Sequence, residues 1–260
     1  LGFRIQPDRS ADRGRGSASQ SRPAALPSAG GVADGPEFRH GCGQRSGAAS
    51  VMRGRFIVLD GLDGCGKSTQ MQHLSQWLPA SRLMPPGARL IGTREPGGTE
   101  LGRAVRELLL QTSRERAPAP TAELLLYAAD RAQHVETLIR PALERGDWVL
   151  SDRFSGSTMA YQGYGRGLDR RLIEQLEAIA TTGLQPDLTL WLSLPLAQSI
   201  QRREGSRQDR IEAEGQAFLG RVADGFAAVA RQRGWSAVAA DGTVEQVSRS
   251  LEQLLQDRFG

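Results

Sequence analysis

Lysine is all but missing from this chain: 32 of its 33 basic residues are arginine, and Lys67 is the single exception. That scarcity removes one class at once. A guanine-reading Asn-Lys-x-Asp motif needs a lysine, and Lys67 lies in a different setting, Gly66-Lys67-Ser68, so a regulatory GTPase is excluded. Cysteine is nearly as scarce, with only Cys42 and Cys65, which argues against a disulfide frame or a thiolate metal cluster and fits a reducing, cytoplasmic setting. No apolar run approaches the ~18 residues that cross a bilayer, and residues 1 to 30 lack the compact apolar stretch of a secretory signal. Neither a membrane partner nor secretion is expected. Aromatic residues make up only 5%, and no basic stripe carries interleaved aromatics, so the footprint of a nucleic-acid binder is missing. Most of the net charge of +4 comes from residues 1 to 51, where seven arginines face four acids.

What remains has the makeup of a soluble globule, with 39% hydrophobic and 24% charged residues. Residues 1 to 51 are rich in Gly, Ser, Ala, Pro and Arg without an apolar period, so they are expected to be a disordered, dispensable extension ahead of Met52. A transit peptide is the alternative, because Arg and Ser are plentiful there. From Arg55 onward, short apolar runs alternate with longer stretches whose apolar residues recur every three or four positions. This predicts five strands, over 56–60, 89–93, 148–151, 188–194 and 237–240. Helices are predicted over 67–78, 100–111, 122–145, 169–182, 196–203, 211–232 and 244–256. The alternation implies a three-layer α/β/α domain over residues 52–260, a five-stranded parallel sheet flanked by helices.

The first strand runs into Gly61-Leu62-Asp63-Gly64-Cys65-Gly66-Lys67-Ser68-Thr69, which matches G-x-x-x-x-G-K-[ST]. Strand before and helix after supply the context this loop needs: backbone amides and a helix N-terminus turned toward the phosphates of ATP. Lys67 is then expected to reach the β and γ phosphates and Ser68 to place its hydroxyl on Mg²⁺. That the chain keeps a compact ammonium only at this position fits a need no planar guanidinium meets. A second strand end, Val149-Leu150-Ser151-Asp152-Arg153, offers Asp152 for the Mg²⁺ hydration shell and Arg153 for a second phosphate. A third, Thr93-Arg94-Glu95-Pro96-Gly97-Gly98-Thr99, puts Arg94 at the carboxyl edge of the sheet, where open α/β folds bind ligands. Arg94 and Arg153 would together clamp a phosphoryl acceptor.

These runs, with Tyr127-Ala128-Ala129-Asp130-Arg131, Ser151 to Phe154 and Ala160 to Gly167, resemble bacterial thymidylate kinase from about Arg55 to the C-terminus. The resemblance implies a P-loop nucleoside-monophosphate kinase that transfers phosphate from ATP to dTMP, acting as a homodimer. It assigns Asp63 to the deoxyribose 3′-hydroxyl, Arg94 and Arg153 to the acceptor phosphate and Arg131 to the base. Tyr127 stands where the family usually has a phenylalanine stacked on thymine. Thr158 and Tyr161 would line base and sugar, and a tyrosine there would reject a ribose. Because the phosphate loop has no arginine after Asp63, the catalytic arginine is expected in a lid over about 202–210, with Arg207 and Arg210 as candidates and Arg203 behind them. The alternatives are a kinase for another monophosphate or a deoxynucleoside, and a nucleotide-binding module without catalysis.

Overall fold

In the computed structural model, the residues described are 53–111, 116–204, 209–211 and 214–260. The expectations for residues 1 to 51 and for Arg207 fall outside them. Five strands form one sheet: β1 (Phe56–Asp60), β2 (Leu90–Arg94), β3 (Trp148–Asp152), β4 (Leu188–Ser193) and β5 (Ser236–Ala239). All pairs are parallel, in the order β2-β3-β1-β4-β5. β1 is buried along its whole length because it lies at the centre with helices on both faces. Side chains alternate across a strand. Ile57 and Leu59 therefore pack with Leu74 and Leu78 of α1 (Lys67–Ala80) and with Leu251 and Leu255 of the last helix, Val244–Phe259. Phe56 and Val58 go to the other face, against Val135, Ile139, Leu143 and Phe154. Each fully buried leucine or phenylalanine contributes about 1.5–3 kcal/mol.

Register positions the chemistry. Asp152 stands level with Leu59 of β1 on one side and Arg94 of β2 on the other, so both strand-end motifs open on the edge from which the phosphate loop leaves. β2 runs one residue further than expected and makes Arg94 its last member.

Four helical elements follow α1: α2 (Glu100–Leu110), α3 (Pro120–His134), α4 (Arg140–Glu144) and α5 (Ser155–Thr158). Thr99 caps α2 by accepting the Gly102 N–H at 2.9 Å. The single helix expected over 122–145 is interrupted by a π-helical turn, Val135–Ile139, in which the Arg140 N–H reaches back to the Val135 carbonyl. Pro141 explains the break, since it has no N–H and its ring crowds the carbonyl four residues earlier. After α5 comes a second π-helical stretch, Met159–Gly165, which glycine-rich composition hides from a periodicity reading. Then follow α6 (Arg170–Thr181), α7 (Leu196–Arg202), α8 (Gln216–Arg233) and α9 (Val244–Phe259). α8 begins at Gln216 rather than 211. It packs on the second π stretch, and Gly165 makes that possible: a Cβ there would stand 2.7 Å from both Phe218 and Val222.

Candidate active site

The phosphate loop closes on itself. Gly66 takes a left-handed conformation (φ 97°) and caps α1, which a side chain would strain. Lys67 is buried, and its Nζ donates to the carbonyls of Gly61 (3.0 Å) and Leu62 (2.9 Å). Ser68 and Thr69 are exposed on the first turn of the helix. A cleft of about 330 Å³ lies over the loop. Its walls carry five cations, Lys67, Arg94, Arg106, Arg153 and Arg202, against three carboxylates, Asp63, Glu95 and Asp152. Such a surplus, with a helix N-terminus beneath it, suits a polyanion.

Arg153 is the hub. It is a non-glycine residue at φ 73°, a conformation costing about 1–3 kcal/mol unless its surroundings hold it. They do: its N–H bonds the Leu59 carbonyl at 2.8 Å. Its guanidinium donates to the Gly61 carbonyl (3.0 Å), Ser157 Oγ (2.8 Å) and Asp63 Oδ1 (2.5 Å). Tyr161 completes the group by donating its hydroxyl to Asp63 Oδ2 at 2.6 Å. Burial pushes the Asp63 carboxyl up, but Arg153, Lys67 and the Tyr161 hydroxyl together hold it well below the usual carboxylate range. Asp60, fully buried behind Arg153, has its pKa raised because burial outweighs the pull of Arg153 and Ser157.

A second, narrower cavity of about 80 Å³ continues from Arg153 toward Tyr127, Arg131, Thr158 and Tyr161. All four were expected to line an acceptor pocket, and the fold places them together from α3, α5 and the π stretch. Tyr127 is half-buried. Arg131 is buried between Glu95 (Nε to Oε2, 2.8 Å) and Thr158 (Nη2 to Oγ1, 3.0 Å), with its guanidinium over the Phe154 ring. Behind it runs a chain: the other Glu95 oxygen meets His134 Nδ1 at 2.9 Å, and His134 Nε2 meets Thr93 Oγ1 at 2.7 Å. Since the carboxylate accepts, Nδ1 carries a proton, and Nε2 shares a hydrogen bond with the threonine hydroxyl. Asp130 beside them accepts the Gly97 N–H at 3.1 Å. Burial, reinforced by Glu95, pushes its pKa up to about 6.

Arg94 lines the cleft over the loop as expected, and is exposed there. Arg210, expected in the lid, lies away from the phosphate cleft in this structure. That guanidinium is buried on Glu123 of α3, with Nε on the Leu109 carbonyl at 2.8 Å, and it does not line the phosphate cleft. Glu123 is itself fully buried and also takes Arg166 at 2.9 Å and Gln162 at 2.8 Å, so Arg210 completes a charge cluster that tethers the chain before α8. Among the described residues of this region, Arg202, the last residue of α7, reaches the cleft. Arg203 donates to the Ser199 carbonyl at 3.1 Å and lies against Gly64. Arg106, which lines both cavities, was also missed. On the sequence it is one more arginine on an amphipathic helix. Only the fold shows its pKa lowered by burial and by neighbouring Arg94, the mark of crowded guanidiniums awaiting an anion.

Asp152 tests the metal expectation. Its Oδ1 is buried with no hydrogen-bond partner among the described residues, and it shares the cleft with Ser68. One carboxylate and one hydroxyl, with water and phosphate filling the other positions, is a donor set that fits Mg²⁺.

A parallel sheet ordered around a central strand, whose loop feeds a helix beneath a cationic cleft, defines a P-loop phosphotransferase. The comparisons make this specific: residues 59–251 match the family model described as thymidylate kinase. A thymidylate kinase from Parasynechococcus marenigrum (strain WH8102) is 76% identical over 209 residues, covering 80% of this chain and all of the relative. One from Synechococcus sp. (strain CC9605) is 71% identical over 208 residues, again 80% of this chain and all of the relative. Among solved structures, thymidylate kinase from Ehrlichia chaffeensis matches with a TM-score of 0.62 and 31% identity, over 78% of this chain and 99% of that one. The chain belongs to the thymidylate kinase family.

Proposed function

We propose that this chain phosphorylates dTMP to dTDP by transferring the γ-phosphoryl group of ATP, with Mg²⁺ held at Ser68 and Asp152. One observation carries the reading: Arg153 and Arg106 border both cavities at once, so guanidiniums stand between the loop that would hold ATP and the pocket that would hold the acceptor. In this reading Lys67 leaves the carbonyls of Gly61 and Leu62 for the β and γ phosphates, while Arg94, Arg106 and Arg153 neutralise the acceptor phosphate. Tyr127 stacks on thymine, Arg131 contacts the base, and Asp63 and Tyr161 face the sugar. Mg²⁺, when bound, shares the charge of the β and γ oxygens. The acceptor oxygen is already anionic, so catalysis is alignment and charge neutralisation rather than proton transfer. At about 80 Å³ the acceptor cavity is smaller than a nucleotide, so binding must widen it. Asp209 and Ile211 line it together with α2, α3, α5 and the π stretch.

A homodimer accompanies this reading. Leu101 of α2, Leu125 of α3, and Leu172 and Ile179 of α6 are large apolar side chains left 42–71% exposed on three helices of which α3 packs on both others. Ile179→Arg should convert a dimer to monomer by light scattering. No described helix is long and apolar enough to cross a membrane, and we place the enzyme in the cytoplasm. The deciding experiment is a panel of monophosphates with ATP and Mg²⁺. dTMP should be used at least ~10²-fold more efficiently than UMP or AMP; equal or better use of either would overturn the acceptor assignment.

A further inference from the structure

The short helix α7 presses on the phosphate loop. The first turn of that loop runs from Leu62 to Cys65 and is closed by the Cys65 N–H on the Leu62 carbonyl at 3.3 Å. Asp63 and Gly64 are its central residues, and Gly64 takes φ 78°. A positive φ at the third position marks a type II turn, which needs glycine there. Gly64 is also crowded: a Cβ on it would stand 2.8 Å from the Ser199 carbonyl oxygen and 3.1 Å from Arg203 Cγ. Ser199, only 1% exposed in the middle of α7, donates its hydroxyl to the Asp63 carbonyl at 2.7 Å, across 136 residues of chain.

That hydrogen bond fixes more than a carbonyl. The Asp63–Gly64 peptide is trans, and in a trans peptide the C=O and the N–H point in opposite directions. With the Asp63 carbonyl turned onto Ser199, the Gly64 N–H is turned away from α7. Gly64 lines the cleft over the loop together with Lys67 and Ser68, and among the described residues no acceptor takes its N–H. Type I and type II turns differ by a flip of this one central peptide plane. The flipped loop would show the cleft a carbonyl oxygen in place of a donor, against the polyanion its cations call for. The Asp63 side chain is held independently, by Arg153 and by the Tyr161 hydroxyl.

We propose that Ser199 is a positioning residue for the phosphoryl donor: its hydroxyl locks the 63–64 peptide in the orientation that offers the Gly64 N–H to an ATP phosphate. The same helix ends in Arg202, so α7 supplies one guanidinium to the cleft and sets one backbone donor of the loop. The inference rests on the reading that this loop holds ATP, and the test separates the two.

ADP, titrated calorimetrically with Mg²⁺ into the full chain, comes first. A wild-type chain that does not bind it would sink the loop reading and this proposal together. Where the wild type binds, Ser199→Ala should weaken ADP by about 3–10-fold, the worth of one hydrogen bond, and raise KM for ATP to a similar degree while KM for dTMP stays within about twofold. The assigned Gly64 amide proton should move downfield on ADP binding in the wild type, and by a smaller distance in Ser199→Ala. Equal ADP affinity in the two chains would overturn the proposal and leave the loop reading standing. An equal loss for ATP and dTMP would overturn it as well, because it would show a role in the fold rather than in this peptide. Should Ser199→Ala fail to fold by circular dichroism, Ser199→Cys, close in volume but a weak donor, is judged by the same criteria.

Discussion

The phosphate loop and the acceptor pocket lie on either side of Arg153, and they are built in opposite ways. Nine consecutive residues, Gly61 to Thr69, make the first, and its lysine is satisfied by carbonyls of the same loop. The second is assembled from Asp63 of the loop, the turn after β2, α2, α3, the residues just after β3, α5, the π stretch and residues 209–211, and its arginine is held by residues 36 and 27 positions away. A local loop can lose one side chain and keep its shape. A pocket drawn from eight places ties its shape to the stability of the whole domain. The two should therefore fail differently under mutation: the loop in rate, the pocket in rate and stability together.

The sharpest break of this contrast is Lys67→Ala. Turnover in an ADP-release assay should fall by about 10³-fold or more, as when one preorganised transition-state contact is removed, while the circular dichroism spectrum stays native. Near-normal activity would refute the loop's role.

Arg153 sits on the boundary and should show both behaviours. Arg153→Gly and Arg153→Ala should each lower kcat/KM for dTMP by about 10²-fold. The glycine variant should be the more stable of the two by about 1 kcal/mol in denaturant titration, because it relieves φ 73° whereas alanine does not. Equal stabilities would mean the backbone there carries no strain.

Arg202 and Arg210 sharpen the comparison further. Arg210→Ala strips one partner from buried Glu123, costs about 2 kcal/mol, and should lower Tm by roughly 4–8 °C. Arg202→Ala, on the cleft, should leave Tm unchanged and raise the KM for ATP several-fold. The reverse pattern would restore Arg210 to the lid.

The smallest effect belongs to Asp130. Its pKa in the fold, about 6, is above its ordinary 3.8, so the fold favours its protonated form. That contribution is complete below the ordinary value and is lost as pH rises through about 6. Asp130→Asn keeps an acceptor for the Gly97 N–H and stays neutral, so it should stabilise the protein by about 1–2 kcal/mol near pH 8 and hardly at all near pH 4. Equal stabilisation at both would locate the burden elsewhere.

Legibility followed the same division. The parallel sheet, its five strands and the loop were all readable, because strand period, glycine spacing and a lysine before serine are signals carried by neighbours in the chain. Boundaries erred where composition misleads: Pro141 inside an apolar helical pattern hid a π turn, and the glycines of 163–165 concealed another. Arg94, Arg153, Tyr127 and Arg131 were identifiable only through a set of short motifs. Glu95, His134 and Arg106 were not singled out, and nothing local separates them from ordinary helix or turn residues. The partner of Arg210 was not legible, because an arginine-rich run looks the same whether it meets phosphate or a buried carboxylate.

By itself, then, the sequence determined the class of fold, the donor loop and the cation chosen for it, since each depends on contacts within a few residues. Which arginine faces the cleft, which is spent on Glu123, and how Arg131 is aimed through Glu95 and His134 were decided only in three dimensions. Charge partners are selected by distance and burial, and neither is a property of residues read in a line.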